Sequence, residues 1–297
     1  MLKSFHEVRN RLKSLPSKKV AIPGADFASS VKAACMAKQK KIADFLLVGK
    51  KEKIEDLIIA EDKSLLNKFD IIDSNNPKTS IKRSIRAIKN SRADLLLKGH
   101  VSTAELMKAV FDKKYGLNVK NILGDVFVFE NHGKLTLMSD GGIVLDPDVE
   151  QKIALINNAV TVAKKLGAEE PKVALLAAIE KVNPKMQATL DADVISKMSK
   201  KGNFENCIVD GPFALDIAVS TEAAKIKKID SPVAGKADVL IMPNIEAGNI
   251  FGKALTYYAH YKVGHVIIGA EVPILITSRA DDAQTKLNSI ALGMICA

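Results

Sequence analysis

Residues 20–48 read VAIPGADFASSVKAACMAKQKKIADFLLV. An apolar run of strand length at 20–22 gives way to an Ala- and Lys-rich stretch of helical length, and a second apolar run follows at 45–48. That succession of strand, crossover helix and strand is the pattern of a parallel sheet. Working outward, the same alternation recurs, with strand-like runs at 69–72, 94–97, 173–177, 207–209, 239–242, 266–268 and 274–277 and helices filling most of the gaps. The expected fold class is α/β. One segment departs from the rhythm: 126–130 and 134–138 are strand-like but separated only by Asn131, His132 and Gly133. Three residues are too few for a helix, so an antiparallel hairpin is expected there. The turn-rich Ser139-Asp140-Gly141-Gly142 and Asp146-Pro147 follow, and a crossing into a second domain is expected at that point.

A chain of 297 residues fits about two domains, and 47% apolar residues are enough for a large core without disulfides. The longest apolar runs, 266–270 and 274–276, fall far short of the roughly 20 residues that span a bilayer. Residues 1–18 mix Lys, Glu, Arg and His with isolated Leu and Phe and lack the apolar segment of a secretory signal. A cytoplasmic protein with no membrane partner is expected. Cys35, Cys207 and Cys296 are widely spaced with no CxxC pair, and the five histidines form no HExxH spacing, so no tightly bound metal is expected. Lys and Arg exceed Asp and Glu by 44 − 34 = 10, which favours anionic partners. Nucleic acid is disfavoured, because the chain has no Trp and only four Tyr to stack on unpaired bases and its basic residues are dispersed. A small polyanionic ligand fits better.

In α/β proteins sites lie beyond the carboxyl ends of strands, and four such loops stand out. Lys98-Gly99-His100-Val101-Ser102-Thr103-Ala104-Glu105 offers close backbone approach, hydroxyls, helix N–H groups and a cation to phosphate oxygens; Ser102 with Glu105 also reads as a capping box. Asp210-Gly211-Pro212-Phe213 places an acid at a strand end, where it either orients a ligand or forms a turn. Pro243 to Lys253 contains Asn244, Gly248, Asn249 and Lys253, either an anion-friendly mouth or ordinary strand-to-helix turn chemistry. Thr277-Ser278-Arg279-Ala280-Asp281-Asp282 offers a guanidinium fork and a hydroxyl, or a capping Ser beside a surface Arg. No GxGxxG, Walker GxxxxGK[ST] or GxSxG is present, which argues against a dinucleotide dehydrogenase, a P-loop kinase and an α/β-hydrolase.

Taken together, KGHVSTAEL (98–106), MSDGGIVLDPDVEQK (138–152), DGPFALDIAVS (210–220), MPNIEAGNIFGKALTY (242–257) and VPILITSRADDAQTKLNSIAL (272–292) closely resemble the phosphate acetyl/butyryltransferase family. The butyryltransferase branch is the nearer match, and the resemblance runs over essentially the whole chain. It implies a fold like that of isocitrate and isopropylmalate dehydrogenases: two α/β domains flanking a cleft, with 1–140 and 278–297 forming the first, completed by the C-terminal helix, and 141–277 the second. The implied reaction is reversible transfer of a short acyl group, butyryl first, from acyl-CoA to inorganic phosphate. Phosphate attacks the thioester directly, the carbonyl becomes a tetrahedral oxyanion, and CoA leaves as acyl phosphate forms. Coenzyme A and phosphate are then substrates, with no tightly bound cofactor, and the protein is a homo-oligomer, a dimer or larger.

Under the same resemblance Ser278 and Arg279 match the Ser-Arg pair that binds phosphate and stabilises the oxyanion, and Asp281 is the base toward the CoA thiol. Lys98, Gly99, His100, Ser102, Thr103, Asp210, Asn244, Gly248, Asn249 and Lys253 complete the substrate-binding set. The chain departs from the family at three places: Thr285 stands where acetyl-specific relatives carry Asp, Gln284 where butyryl relatives commonly have Glu, and Gly252 where Tyr is usual, which implies a roomier wall beside Lys253. Acetyl, branched or longer acyl groups are alternatives, since one methylene is worth only about 1–3 kcal/mol in an apolar pocket. A metal-dependent dehydrogenase of the same fold is the alternative from another class.

Overall fold

In chain order the elements begin α1 (Phe5–Leu12), β1 (Lys19–Pro23), α2 (Ala28–Gln39), β2 (Asp44–Gly49), α3 (Lys51–Asp62), β3 (Asp70–Asp73), α4 (Pro77–Lys89), β4 (Leu95–Leu97) and α5 (Thr103–Val110). They continue with β5 (Val119–Asn131), β6 (Lys134–Ser139), α6 (Val149–Lys165), β7 (Lys172–Leu176), α7 (Gln187–Lys200), β8 (Ile208–Phe213), α8 (Leu215–Val219) and α9 (Thr221–Ile226). The last are β9 (Val239–Ile241), α10 (Ile245–Tyr257), β10 (Val263–Ala270), β11 (Ile274–Leu275) and α11 (Ala283–Cys296). The computed structural model describes residues 1–278 and 281–297, without the side chains of Lys120 and Asn121. The class is α/β, with mixed β-structure. Contacts divide the chain into two compact units: a split unit, Phe5–Asn121 with Gly264–Ala297, and a central unit, Met1–Ser4 with Ile122–Val263.

In the split unit the strand order is β3-β2-β1-β4-β11-β10, parallel as far as β11. Val20, Ala21 and Ile22 of β1 are fully buried, as befits a parallel strand covered on both faces. Helix α4 shows how local sequence fixes a crossover: the Asn76 side chain caps the Lys78 and Thr79 amides, Pro77 occupies the first turn, and Ile81, Ile85 and Ile88 are buried along one face. Helix α11 is apolar nearly all round and is buried from Leu287 to Ile295. It packs against α1, α2 and β4, and Arg9 Nη1 donates to Asn288 Oδ1 at 2.9 Å. One pairing differs from the parallel pattern read in the sequence. β10 and β11 are antiparallel, with Ile267 opposite Ile274, because the intervening 271–273 is too short for a crossover.

In the central unit the order is β5-β6-β9-β7-β8. β5 and β6 form the expected hairpin, closed at Asn131 opposite Lys134 by a two-residue turn. His132 (φ 45°) and Gly133 (φ 78°) both adopt the left-handed conformation that such turns require. The remaining pairs are parallel, and Phe127, Phe129, Met138, Phe213, Ile217 and Leu240 share one core. Among the described residues no helix is long and apolar enough to cross a membrane.

A buried ion pair ties α6 to α7: Lys152 Nζ lies 2.6 Å from Asp191 Oδ2, with side chains 7% and 6% exposed, and Gln187 Nε2 donates to Asp191 Oδ1 at 2.7 Å. Removing one partner leaves a buried charge unopposed, whereas removing both does not. Lys152→Met should therefore destabilise the protein by about 3–5 kcal/mol, and adding Asp191→Leu should restore most of the loss. Urea unfolding of the three variants measures this; a single mutant as stable as wild type would show that the pair holds nothing.

Candidate active site

In the order β3-β2-β1-β4 the chain runs outward from β1 to β3 and then returns to the other side of β1, so the carboxyl ends of β1 and β4 are a topological switch point. The two exit loops approach closely. A Cβ on Gly99 would lie 2.4 Å from the Pro23 carbonyl oxygen and 2.7 Å from that of Gly24, so no side chain fits. His100 N donates to Gly24 O at 2.9 Å, and Lys98 N donates to Leu275 O of β11 at 2.8 Å. These contacts bring Lys98, Gly99, His100, Val101 and Ser102 beside Thr277 and Ser278 around a cavity of about 570 Å³. Phe27, Ser29 and Ser30 from the start of α2 and Lys286 from α11 complete its polar and aromatic lining. The Phe27 ring stacks on His100 at 4.1 Å and 6°. Two lysines and four serines line the cavity, and no described lining residue is a carboxylate.

Ser102 lines the cavity, and its Oγ accepts from Glu105 N at 3.5 Å as the cap of α5. Thr103, the first residue of α5, is exposed and outside the cavity lining. Asp281 Oδ2 accepts from Ser278 N at 2.7 Å, and Asp282 Oδ1 accepts from Thr285 N at 2.6 Å to cap α11. Arg279 lies outside the described residues.

The central unit gathers the other group. Asp140, which follows β6, is buried, and its carboxylate accepts from Asp125 N at 2.7 Å, Gly142 N at 2.6 Å and Ile143 N at 2.8 Å. Burial pushes the Asp140 carboxyl up and the neighbouring Asp125 carboxylate adds to it; the three amides oppose, and the outcome is about 6. The loop is locked to the start of α10. A Cβ on Gly248 would lie 2.1 Å from Asp140 O, and Asn249 Nδ2 donates to Gly141 O at 3.0 Å. Asn244 caps α10 through Ala247 N at 3.0 Å. Lys253 is exposed, its Nζ 5.8 Å from the Tyr257 ring centre. Gly252 is buried, and a Cβ there would meet Met138 and Phe127 at 3.5 Å, an ordinary packing distance.

Asp210 is held by its own surroundings. Ser196 Oγ donates to Oδ1 at 2.5 Å, Ser231 Oγ to Oδ2 at 2.6 Å and Gly211 N to Oδ1 at 3.0 Å. Burial pushes this carboxyl up, but the two hydroxyls, the Gly211 amide and Lys200 outweigh it and hold it below the usual range. Asp140, Asp125, Phe27, Ser29, Ser30 and Lys286 were not singled out from sequence. For Asp140 the available signal was its place immediately after a strand, masked by the turn chemistry of Ser-Asp-Gly-Gly. Among the described residues no group of three or more His, Cys, Asp or Glu side chains is placed to hold a metal ion.

Because Asp140 titrates higher in the folded than in the unfolded chain, folding takes up a proton there. The resulting stabilisation is complete below the ordinary carboxyl value of 3.8 and is lost as pH rises through about 6. Asp210 has the opposite sign, contributing above 3.8 and losing its contribution as pH falls below that value. Asp125→Asn removes one of the two causes that raise the Asp140 carboxyl, so the decline of Tm assigned to Asp140 between about pH 4 and 6.5 should become shallower. Calorimetric melts at closely spaced pH values measure it, and an unchanged profile would remove Asp125 as the electrostatic partner.

The sequence pattern of the family described as phosphate acetyl/butaryl transferase matches residues 81–294. The chain is 41% identical to a phosphate butyryltransferase of Clostridium acetobutylicum, an alignment covering 100% of this chain and 99% of the relative. It is 42% identical to a phosphate acetyltransferase of Thermotoga maritima, covering 94% of this chain and 95% of the relative. Among solved structures, a branched-chain phosphotransacylase of Enterococcus faecalis is similar with a TM-score of 0.84 and 29% identity, covering 94% of this chain and 98% of that one. A 4-hydroxythreonine-4-phosphate dehydrogenase of Klebsiella pneumoniae shares the fold, with a TM-score of 0.57 at 12% identity over 95% and 100% of the two chains.

Proposed function

Because the chain belongs to the phosphate acetyl/butaryl transferase family, we propose that it transfers a short acyl group reversibly between coenzyme A and inorganic phosphate, with butyryl as the first substrate. The observation that carries the reading is the cavity at the β1, β4 and β11 exits, which presents two lysines and several hydroxyls and no carboxylate. A phosphate oxygen attacks the thioester carbonyl, the carbonyl oxygen takes the negative charge, and the C–S bond breaks as its electron pair leaves on sulfur. Acyl phosphate and CoA thiolate result. Donors fixed around the developing oxyanion are the largest lever on such a barrier. We assign that role to Ser278 and Arg279. Asp281 is assigned as base in the reverse direction: Oδ2 holds the Ser278 N–H, and Oδ1 is the oxygen that would take the thiol proton.

Lys98, Gly99, His100, Ser102 and Thr103 in the split unit, and Asp210, Asn244, Gly248, Asn249 and Lys253 in the central unit, form the proposed substrate-binding set. For Asp210 the satisfied carboxylate supports a loop-shaping part in that set. The finer fold reading, two α/β domains flanking a cleft as in isocitrate and isopropylmalate dehydrogenases, belongs to the same proposal. Two compact units and the likeness to a dehydrogenase fold support it. A cytoplasmic setting and a homo-oligomer belong to the same proposal and are supported by family membership. Acetyl transfer is the second reading, favoured by the equal likeness to a phosphate acetyltransferase.

Free CoA should appear from butyryl-CoA only when phosphate or arsenate is present, with arsenate giving net hydrolysis; equal release in phosphate-free buffer would mean a thioesterase. A series of acyl-CoA lengths in the same thiol assay ranks butyryl against acetyl. Arg279→Lys should fold normally, by circular dichroism, and lose roughly 100-fold or more in kcat, the magnitude of a lost oxyanion donor. Activity within about twofold of wild type is what a surface arginine would give, and would remove Arg279 from the mechanism.

A further inference from the structure

Charge is divided unevenly between the two compact units. The split unit carries 27 Lys and Arg against 16 Asp and Glu, a net of +11, whereas the central unit carries 17 against 18, a net of −1. The basic excess of the chain therefore belongs to the unit that holds the strand-exit cavity. Within that unit, residues 73–114 contribute ten cations against four carboxylates, with Asp73, Asp94, Glu105 and Asp112 all counted at full charge. Helix α4 is the main source: its 13 residues include Lys78, Lys82, Arg83, Arg86 and Lys89, all exposed, and no acid. Neighbouring acids offset only part of this. Lys78 Nζ stands 3.8 Å from Glu105 Oε1, Arg83 donates to the Asp73 carbonyl, and Lys82 acts on the Asp112 carboxylate. Lys78, Lys82 and Arg86 follow one another at i, i+4 and i+8, so like charges are neighbours along one row, which costs a helix stability.

The row also has a particular place. β3 delivers α4 from the same edge of the sheet at which β4 delivers the cavity loop 98–102 and then α5. α4 packs on α5, and the Lys78–Glu105 contact joins the first turns of the two helices. The basic row thus begins at the exit edge. A field of one sign beside a site raises the association rate of an oppositely charged ligand by about 10- to 1,000-fold, without any contact in the final complex. We propose that the basic face of α4 is an electrostatic capture surface that hastens the arrival of coenzyme A or its thioester at the strand-exit cavity. The pyrophosphate and ribose phosphate of that molecule supply the negative charge. The proposal rests on the acyltransferase reading for the identity of the ligand.

Stopped-flow association of a fluorescent etheno-adenine analogue of coenzyme A with the full chain tests it. Raising salt from about 10 mM to about 1 M shortens the screening length from about 30 Å to about 3 Å, and the wild-type association rate should fall about tenfold or more. Lys78→Glu combined with Lys82→Glu should associate about fivefold or more slowly than wild type at the low salt and within about 1.5-fold of it at the high salt. Dissociation rate and Tm should change little, and Lys78→Arg with Lys82→Arg should stay within about twofold of wild type throughout. Charge reversal of Lys13 and Lys41, exposed near the amino ends of β1 and β2, should slow association by less than about twofold. Four results overturn the proposal: no association by wild type, a wild-type rate independent of salt, equal slowing by the Lys13 and Lys41 reversals, or a deficit of the α4 double reversal that persists at high salt. The last marks damaged contacts and not lost attraction. Turnover of butyryl-CoA with association unmoved by the α4 reversals would keep the reaction and discard the surface. Salt- and reversal-sensitive association in a protein that releases no CoA would keep the surface and discard the reaction.

Discussion

β1 lies between β2 and β4 and runs parallel to both, so each neighbour is reached by a crossover and all three strands release the chain at one edge. The backward step from β3 to β4 then leaves a gap at the carboxyl ends of β1 and β4. Everything chemically informative in the split unit is a consequence. Gly24 and Gly99 let the two exits touch, β11 adds Thr277 and Ser278 alongside, and α2 and α11 each point a first turn at the same cavity. The central unit repeats the logic with β6 and β9, whose parallel pairing sets Asp140 against the start of α10.

Several acidic side chains in this protein accept hydrogen bonds from backbone amides at turns and helix starts. Asp140 takes three amides, Asp281 and Asp282 close and cap the α11 entry, and Asp210 gathers two hydroxyls and an amide. Each satisfies donors that turns and helix starts leave unpaired. In the split unit the acidic side chains at the α11 entry stand outside the cavity lining, where the charged described side chains are Lys98 and Lys286. The net excess of basic residues is thereby expressed at a particular place, the strand-exit cavity, as well as over the surface.

Much of the strand pattern was legible in the sequence because apolar runs such as 45–48 and 94–97 have no alternative place than a covered sheet. The hairpin was legible from the spacing of 126–130 and 134–138, though its turn is two residues, since Asn131 and Lys134 still pair. The antiparallel β10–β11 pairing was not, because two apolar runs give no direction by themselves. Lys98, Gly99, His100, Ser102 and Ser278 were found from strand-exit position, and the structure places them around one cavity. Asp140 and Lys286 were not, for opposite reasons. Asp140 looks like turn chemistry until its burial is known, and Lys286 looks like a surface lysine until its facing is known. Both facts are tertiary. Asp210 shows the converse, a strand-end acid whose partners Ser196 and Ser231 are close only in space.

The split unit is assembled from two pieces of chain separated in sequence by nearly all of the central unit. During synthesis, residues 5–121 therefore emerge with one edge of β4 unpaired and the apolar surfaces that α11 later covers still open to water. Only after Gly264 onward leaves the ribosome are β11 and α11 available to close them. The central unit, continuous from Ile122 to Val263, meets no such delay. Order of completion is thus the reverse of order of appearance: the segment made first finishes last, and in the interval it is the part of the nascent chain most in need of protection from self-association.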